Sequence, residues 1–177
     1  MSQNSDSGTH RLQELLDEVE ELAREALRVR FESIDGEPAP TLPDSGVPVQ
    51  EVLDSLVRVR RRLDRVEGIL VRAISIAGQI ARMATVVEAQ ASEKWDEALV
   101  SDPRINSGGF VAPKEKYAQA NLAVMGVRRK AQVAATAVRV TSNAVEVVRV
   151  AHRGLDSLRY DHVDMIRAAT VMTSLEG

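Results

Sequence analysis

Cysteine is absent from the chain, which excludes disulfides, thiolate nucleophiles and Cys-ligated zinc and fits a reducing compartment. Aromatic residues are scarce: five in 177, with Ala and Val carrying much of the apolar content. A chain so poor in large side chains suits many thin helical seams better than one thick core. The longest stretch without charge, Tyr117 to Val127, is far short of the roughly 20 apolar residues that span a bilayer. The opening residues, MSQNSDSGTH, resemble neither a signal nor a transit peptide. No membrane association is expected, and the expected location is the cytoplasm, or the host cytoplasm if the chain is phage-encoded.

Catalytic signatures are missing as well. There is no GxxxxGK(S/T), GxGxxG or GxSxG. His10, His152 and His162 have no metal-ligand spacing, although His152 and Asp156 are one helical turn apart; each reads as an exposed or interhelical histidine. The carboxylate pairs Asp17-Glu18 and Glu20-Glu21 read as solvated charge on a helix face. No catalytic residue, metal or cofactor is expected, and the chain is read as a non-enzyme.

What the sequence does have is periodicity. Leu12, Leu15, Val19, Leu22, Ala26 and Val29 alternate at spacings of three and four, the pattern of a helix with one apolar seam. The first helix is expected from His10 to Ile34, after a disordered start, with Thr9 as N-cap and Asp35-Gly36 as stop. Residues 35–48, DGEPAPTLPDSGVP, hold four of the six prolines and read as a linker that leaves the first helix independently positioned.

From Val49 the alternation is strict through Val52, Leu56, Val59, Leu63, Val66, Leu70, Ala73, Ala77, Ile80, Ala84, Val87 and Ala91. It resumes after Pro113 through Ala120, Val124, Val127, Ala131, Ala134, Val138, Thr141, Val145, Val148, His152 and Leu155. Beyond Gly154 the pattern drifts, so a kink and a short terminal helix are expected there. A reversal near Asn106–Gly109 matches the Ala-rich end of one helix to the Ala-rich start of the next, and bulky residues to bulky residues. The expected fold is therefore all-α: a long antiparallel coiled-coil hairpin over 49–177, with an N-terminal acidic helix (1–34) on the Pro-rich linker. Ile69, Ile74, Ile76, Met83 and Val86 widen the apolar face of the long helix beyond its seam. That points to a homo-oligomer, with the first helix as a third strand within one subunit as the competing explanation.

Charge is unevenly spread. Lys and Arg against Asp and Glu number 4 and 11 in residues 1–48, 8 and 8 in 49–100, and 11 and 7 in 101–177. In RVRRRLDR, Arg58, Arg61 or Arg62, Arg65 and then Arg72 recur at helical spacing, and Arg128, Arg129 and Lys130 form a second cluster. A guanidinium donates two hydrogen bonds to a phosphate at once, so this stripe fits salt-sensitive, sequence-independent nucleic-acid binding. Its alternative use is ion pairing with the acidic first helix or a neighbouring subunit. Around the turn, Arg104, Lys114 and Lys116 flank Phe110 and Tyr117, the mixture of aromatic faces and cations that holds single strands. Trp95 and Tyr117 are read instead as sealing the tip of the hairpin against each other.

These features resemble the UvsY-type phage recombination mediators. The likeness covers roughly Glu88 to Gly177: Lys94-Trp95 at the end of one long helix, a short polar loop, a second long helix, Arg159, the Ile166-Arg167 pair and a terminal Gly177. Asp96-Glu97 and Leu175 stand where that family tends to carry aromatics, and the acidic first helix has no counterpart in it. The resemblance implies DNA binding, a recombinase or replication protein as partner, and no enzymatic activity. The expected function is a non-enzymatic, oligomeric single-stranded nucleic-acid-binding accessory protein in recombination or replication. The alternative is a structural or assembly coiled coil, such as a scaffold, tail or adaptor component.

Overall fold

The structure, a computed structural model, describes residues 3–44, 46–101 and 113–175. Three helices make it up, α1 (Gln3–Phe31), α2 (Val49–Ser101) and α3 (Pro113–Leu175), and no strand occurs among the described residues. At 1.5 Å per residue they are about 43, 80 and 95 Å long. α2 and α3 lie antiparallel, because Ser55 near the start of α2 meets His162 late in α3, while Trp95 near the end of α2 meets Arg128 early in α3. α1 runs antiparallel to α2, with Glu18 beside Arg72 and Glu25 beside Arg65.

The seam of three-four spacing in α2 becomes the interior. Val52, Leu56, Val59, Val66, Ala73, Ile80 and Ala91 are buried and the rest of that series is half-buried. On α3, Val124, Ala134, Thr141, Val145, Val148 and Leu155 are buried in the same way. Small faces small at the Ala91 end and large faces large at the Leu56 end, which is how close packing constrains two long antiparallel helices.

Three expectations are corrected. First, α1 is not independently positioned. Its seam, Leu15, Val19, Leu22, Ala26 and Val29, joins one core with Ile69, Ala73, Ile76 and Ile80 of α2 and Ala137, Ala144 and Ala151 of α3. Burying a Val or Leu gains about 1.5–3 kcal/mol each, so this seam, far more than any surface ion pair, docks the helix. Second, α1 begins at Gln3, and Thr9 lies inside it; once a docked turn exists, extending the helix outward costs little. Third, α3 runs unbroken past Gly154. The glycine is there for a neighbour: a Cβ at that position would sit 2.9 Å from Arg30 Nε, whose side chain crosses α3 at that point. The seam also continues at 4,3,4,3 through Leu155, Arg159, His162, Ile166 and Ala169. Polar residues at two of these positions disguise it.

The proline-rich segment folds back compactly. Asp35 and Gly36 both have positive φ, 53° and 81°, and Ile34 and Glu37 exchange two N–H to carbonyl bonds of 2.9 Å across them. That is the two-residue turn for which Asp-Gly is suited. Pro40 is buried, with its carbonyl accepting a bond from Arg30, and the Pro48 carbonyl accepts the first amide bonds of α2.

The end of α1 depends on one side chain from α2. Carbonyls in the last turn of a helix have no partner within it. Arg62, 5% exposed, donates to the carbonyls of Val29 and Glu32 at 2.8 Å and of Glu37 and Pro38 at 3.0 and 2.9 Å. Hydrogen bonds to a charged group contribute about 1.5–3 kcal/mol each, although water can replace part of that set. Arg62→Leu is therefore expected to lower the unfolding free energy by roughly 3 kcal/mol and to raise amide hydrogen exchange throughout α1. Arg65→Leu, which removes an exposed pair, should cost under about 1 kcal/mol. Equal losses for the two variants would refute the capping role.

Candidate nucleic-acid interface

The arginines of α2 separate into two groups by the direction they face. The positions one residue before the α2 seam, Arg62, Ile69 and Ile76, face α1. Arg61, Arg65 and Arg72 lie on the outer edge of that contact, and the acidic residues of α1 and its turn meet them: Arg61 to Glu37 at 3.7 Å, Arg65 to Glu25 at 2.8 Å and Arg72 to Glu18 at 2.7 Å. The acidic N-terminal third and the arginine run thus meet within the chain. Arg62, expected to contact phosphate, is instead buried with its donors committed to four carbonyls. Arg58 is half-buried and makes no hydrogen bond or ion pair among the described residues.

The other end of the α2–α3 pair differs in its balance. From Glu18 the described part of α1 continues about 22 Å toward its start, whereas α2 continues about 44 Å from Arg72 to Ser101. The last turns of α2 and the first of α3 therefore extend past α1. Between Pro113 and Arg139, α3 holds six Lys or Arg and one Glu. Arg129, Lys130 and Arg139 are exposed and make no ion pair among the described residues. Arg128 lies over the half-buried Trp95 ring, 4.5 Å from its centroid, an arrangement that attracts a cation to an aromatic face. Lys94 is tied to its own helix, its pKa raised by the hydrogen bond and charge of Glu97. Arg104 and Phe110 lie outside the described residues, as do the side chains of Lys114, Lys116 and Tyr117, whose backbone belongs to the first turns of α3. Further along α3 the cations have neighbours: Arg149 and Arg153 pair with Glu146, Arg159 with Asp156, and Arg167 with Asp164.

A polar pair joins α2 and α3: His162 takes the interhelical place expected of such a histidine, and its partner, Ser55, has no signature in the sequence. His162 is fully buried, with Nδ1 2.7 Å from the Leu158 carbonyl and Nε2 2.9 Å from Ser55 Oγ. A carbonyl oxygen can only accept, so Nδ1 carries the proton; in the neutral ring Nε2 then accepts from the Ser55 hydroxyl. Ser–His proximity can mark a nucleophile, but here the third partner is a backbone carbonyl, not a carboxylate, and both side chains are sealed from solvent. The pair reads as interhelical registration. The detectable signal was the uninterrupted three-four spacing from Leu155 to His162. Among the described residues no group of three or more His, Asp or Glu side chains could hold a metal ion.

No family model, curated protein or solved structure significantly matches the chain.

Removing one partner of a buried hydrogen bond costs about 1–3 kcal/mol, whereas replacing both by apolar groups can be nearly neutral. Ser55→Ala should accordingly destabilise by that amount in urea unfolding, and Ser55→Ala with His162→Leu should recover much of the loss. A double variant no more stable than Ser55→Ala would contradict the pairing.

Proposed function

We propose that this chain is a non-enzymatic, oligomeric accessory protein that binds single-stranded nucleic acid through its phosphate backbone. The observation that carries the reading is the set of exposed cations Arg129, Lys130 and Arg139, which make no ion pair among the described residues and lie on a stretch of α3 that is almost devoid of acid. Trp95 beside Arg128 adds an aromatic face of the kind on which unpaired bases stack. The heptad alternation is read as coiled-coil packing, and repetition of a weak basic site around an oligomer would add avidity. A role beside a recombinase or replication protein, as the likeness to UvsY-type mediators implies, belongs to the same proposal.

A second reading, an assembly or scaffold coiled coil, is favoured by one observation: Arg61, Arg65 and Arg72 already have carboxylate partners on α1 and its turn. The binding site is therefore assigned to α3 and not to α2.

Fluorescence anisotropy with a labelled oligothymidylate separates the two readings. On the nucleic-acid reading, affinity falls with salt at a slope of about −0.7 per neutralised phosphate. Replacing Arg129, Lys130 and Arg139 by Ala should weaken binding and flatten that slope by about 2. Replacing Arg65 and Arg72 by Ala should change affinity by less than about twofold. Absence of binding at low salt would leave the assembly reading standing.

A further inference from the structure

α2 carries a second seam, displaced by one residue from the first. Val71, Ile74, Gly78, Ala81 and Thr85 follow the same three-four spacing as Leu70, Ala73, Ala77, Ile80 and Ala84. Since the positions one residue before the main seam face α1, those one residue after it lie on the opposite flank. That flank is uncovered: Val71 is 66% exposed and Ile74 47%. Beside it, open space of about 510 Å³ lies between Ala81 and Thr85 of α2 and Ala131, Ala135 and Val138 of α3. α2 is long and apolar enough to cross a membrane by length and composition, and 22% of its most apolar window is buried, so much apolar surface is left over by α1 and α3.

Gly78 lies in the middle of this flank. A Cβ there would meet nothing within 4 Å, so packing inside the chain does not require glycine, although glycine in a helix costs about 1 kcal/mol relative to alanine. Close approach of a second backbone is a requirement that glycine meets.

Charge identifies the occupant. Arg60 lies eighteen residues before Gly78 and Asp96 eighteen residues after it, about 27 Å to either side. Both are exposed, on the same broad side of α2, and neither makes a hydrogen bond or ion pair among the described residues. A second α2 laid antiparallel about Gly78 sets Arg60 against Asp96 of the partner subunit, and Asp96 against Arg60 of the partner subunit. It also sets Val71 against the partner's Thr85, while Glu67 falls one residue out of register with the partner's Glu88, so the complementarity rests on the two Arg60–Asp96 pairs. A lipid bilayer would instead receive Glu67, Arg82 and Glu88 at considerable cost.

We propose that two copies of the chain pair through this flank, antiparallel and two-fold symmetric about Gly78, as an isologous interface requires. This interface belongs to the oligomer invoked under the proposed function and rests on that part of it, not on nucleic-acid binding.

The absence of cysteine makes a direct test possible. Gly78→Cys in the full chain, mildly oxidised, should form a disulfide-linked dimer, because the two-fold brings residue 78 of each copy within the 4.4–6.8 Å Cα separation that a disulfide needs. Val71→Cys should not, its two copies lying about 21 Å apart. Independently, Arg60→Asp and Asp96→Arg should each weaken the dimer by about tenfold in sedimentation equilibrium, and the double variant should restore it. Four outcomes would overturn the proposal: a monomer at tens of micromolar; Val71→Cys linking as readily as Gly78→Cys; no restoration by the double charge reversal; or a monomer that floats with phosphatidylcholine–phosphatidylglycerol vesicles. A monomer would remove the oligomer as well. An oligomer without the Gly78 link would remove this interface alone, and oligonucleotide binding is read separately from both.

Discussion

Four carbonyl oxygens converge on the guanidinium of Arg62: Val29 in the last turn of α1, Glu32 just past it, and Glu37 and Pro38 of the segment that turns back. A buried charge is tolerated when its hydrogen-bonding capacity is met, and the end of a helix offers an unusual density of acceptors with a partial negative charge. The bond set fixes where α1 stops and where the proline-rich segment turns. It also fixes the height of α1 along α2. With that height set, Glu25 and Glu18 fall opposite Arg65 and Arg72, and the small residues Ala23 and Ala26 are buried in a core shared with Ala137, Ala144 and Ala151 of α3. The exposed ion pairs are a consequence of this registration more than its cause, since pairs of that kind contribute little individually.

The interior was largely legible in the sequence because a helical seam is a repeating signal. Every member of the Val49–Ala91 series is buried or half-buried, and so is each member of the Leu12–Val29 series. Where legibility failed, a polar residue occupied a seam position or a residue served a neighbour distant in sequence. His162 and Arg159 made α3 look broken where it is continuous. Gly154 resembles a helix terminator until the Arg30 side chain lying against it is known. The proline count of residues 35–48 suggested a linker, but composition could not reveal that Pro40 is buried and that Arg62 donates to the segment's carbonyls.

The candidate site was less legible for a related reason. Periodicity shows which side of a helix a charge is on, not what lies opposite. In α2 the arginines recur with regular spacing, and so do the glutamates of α1. The partnership between Glu18 and Arg72, 54 residues apart, is a fact of tertiary structure. Arg128, Arg129 and Lys130 were equally visible as a cluster, and what distinguishes them is the shortage of acid around them on α3.

The unequal lengths of the helices also have a mechanical meaning. Resistance to bending rises steeply with the cross-section of a bundle, so the three-helix portion is the stiff part of the rod. The two-helix portion beyond α1, near Trp95, is the compliant part. A load applied at that end would bend the molecule near the start of α1, where the third helix runs out, and would leave the Arg62 junction at the opposite end of α1 almost undisturbed.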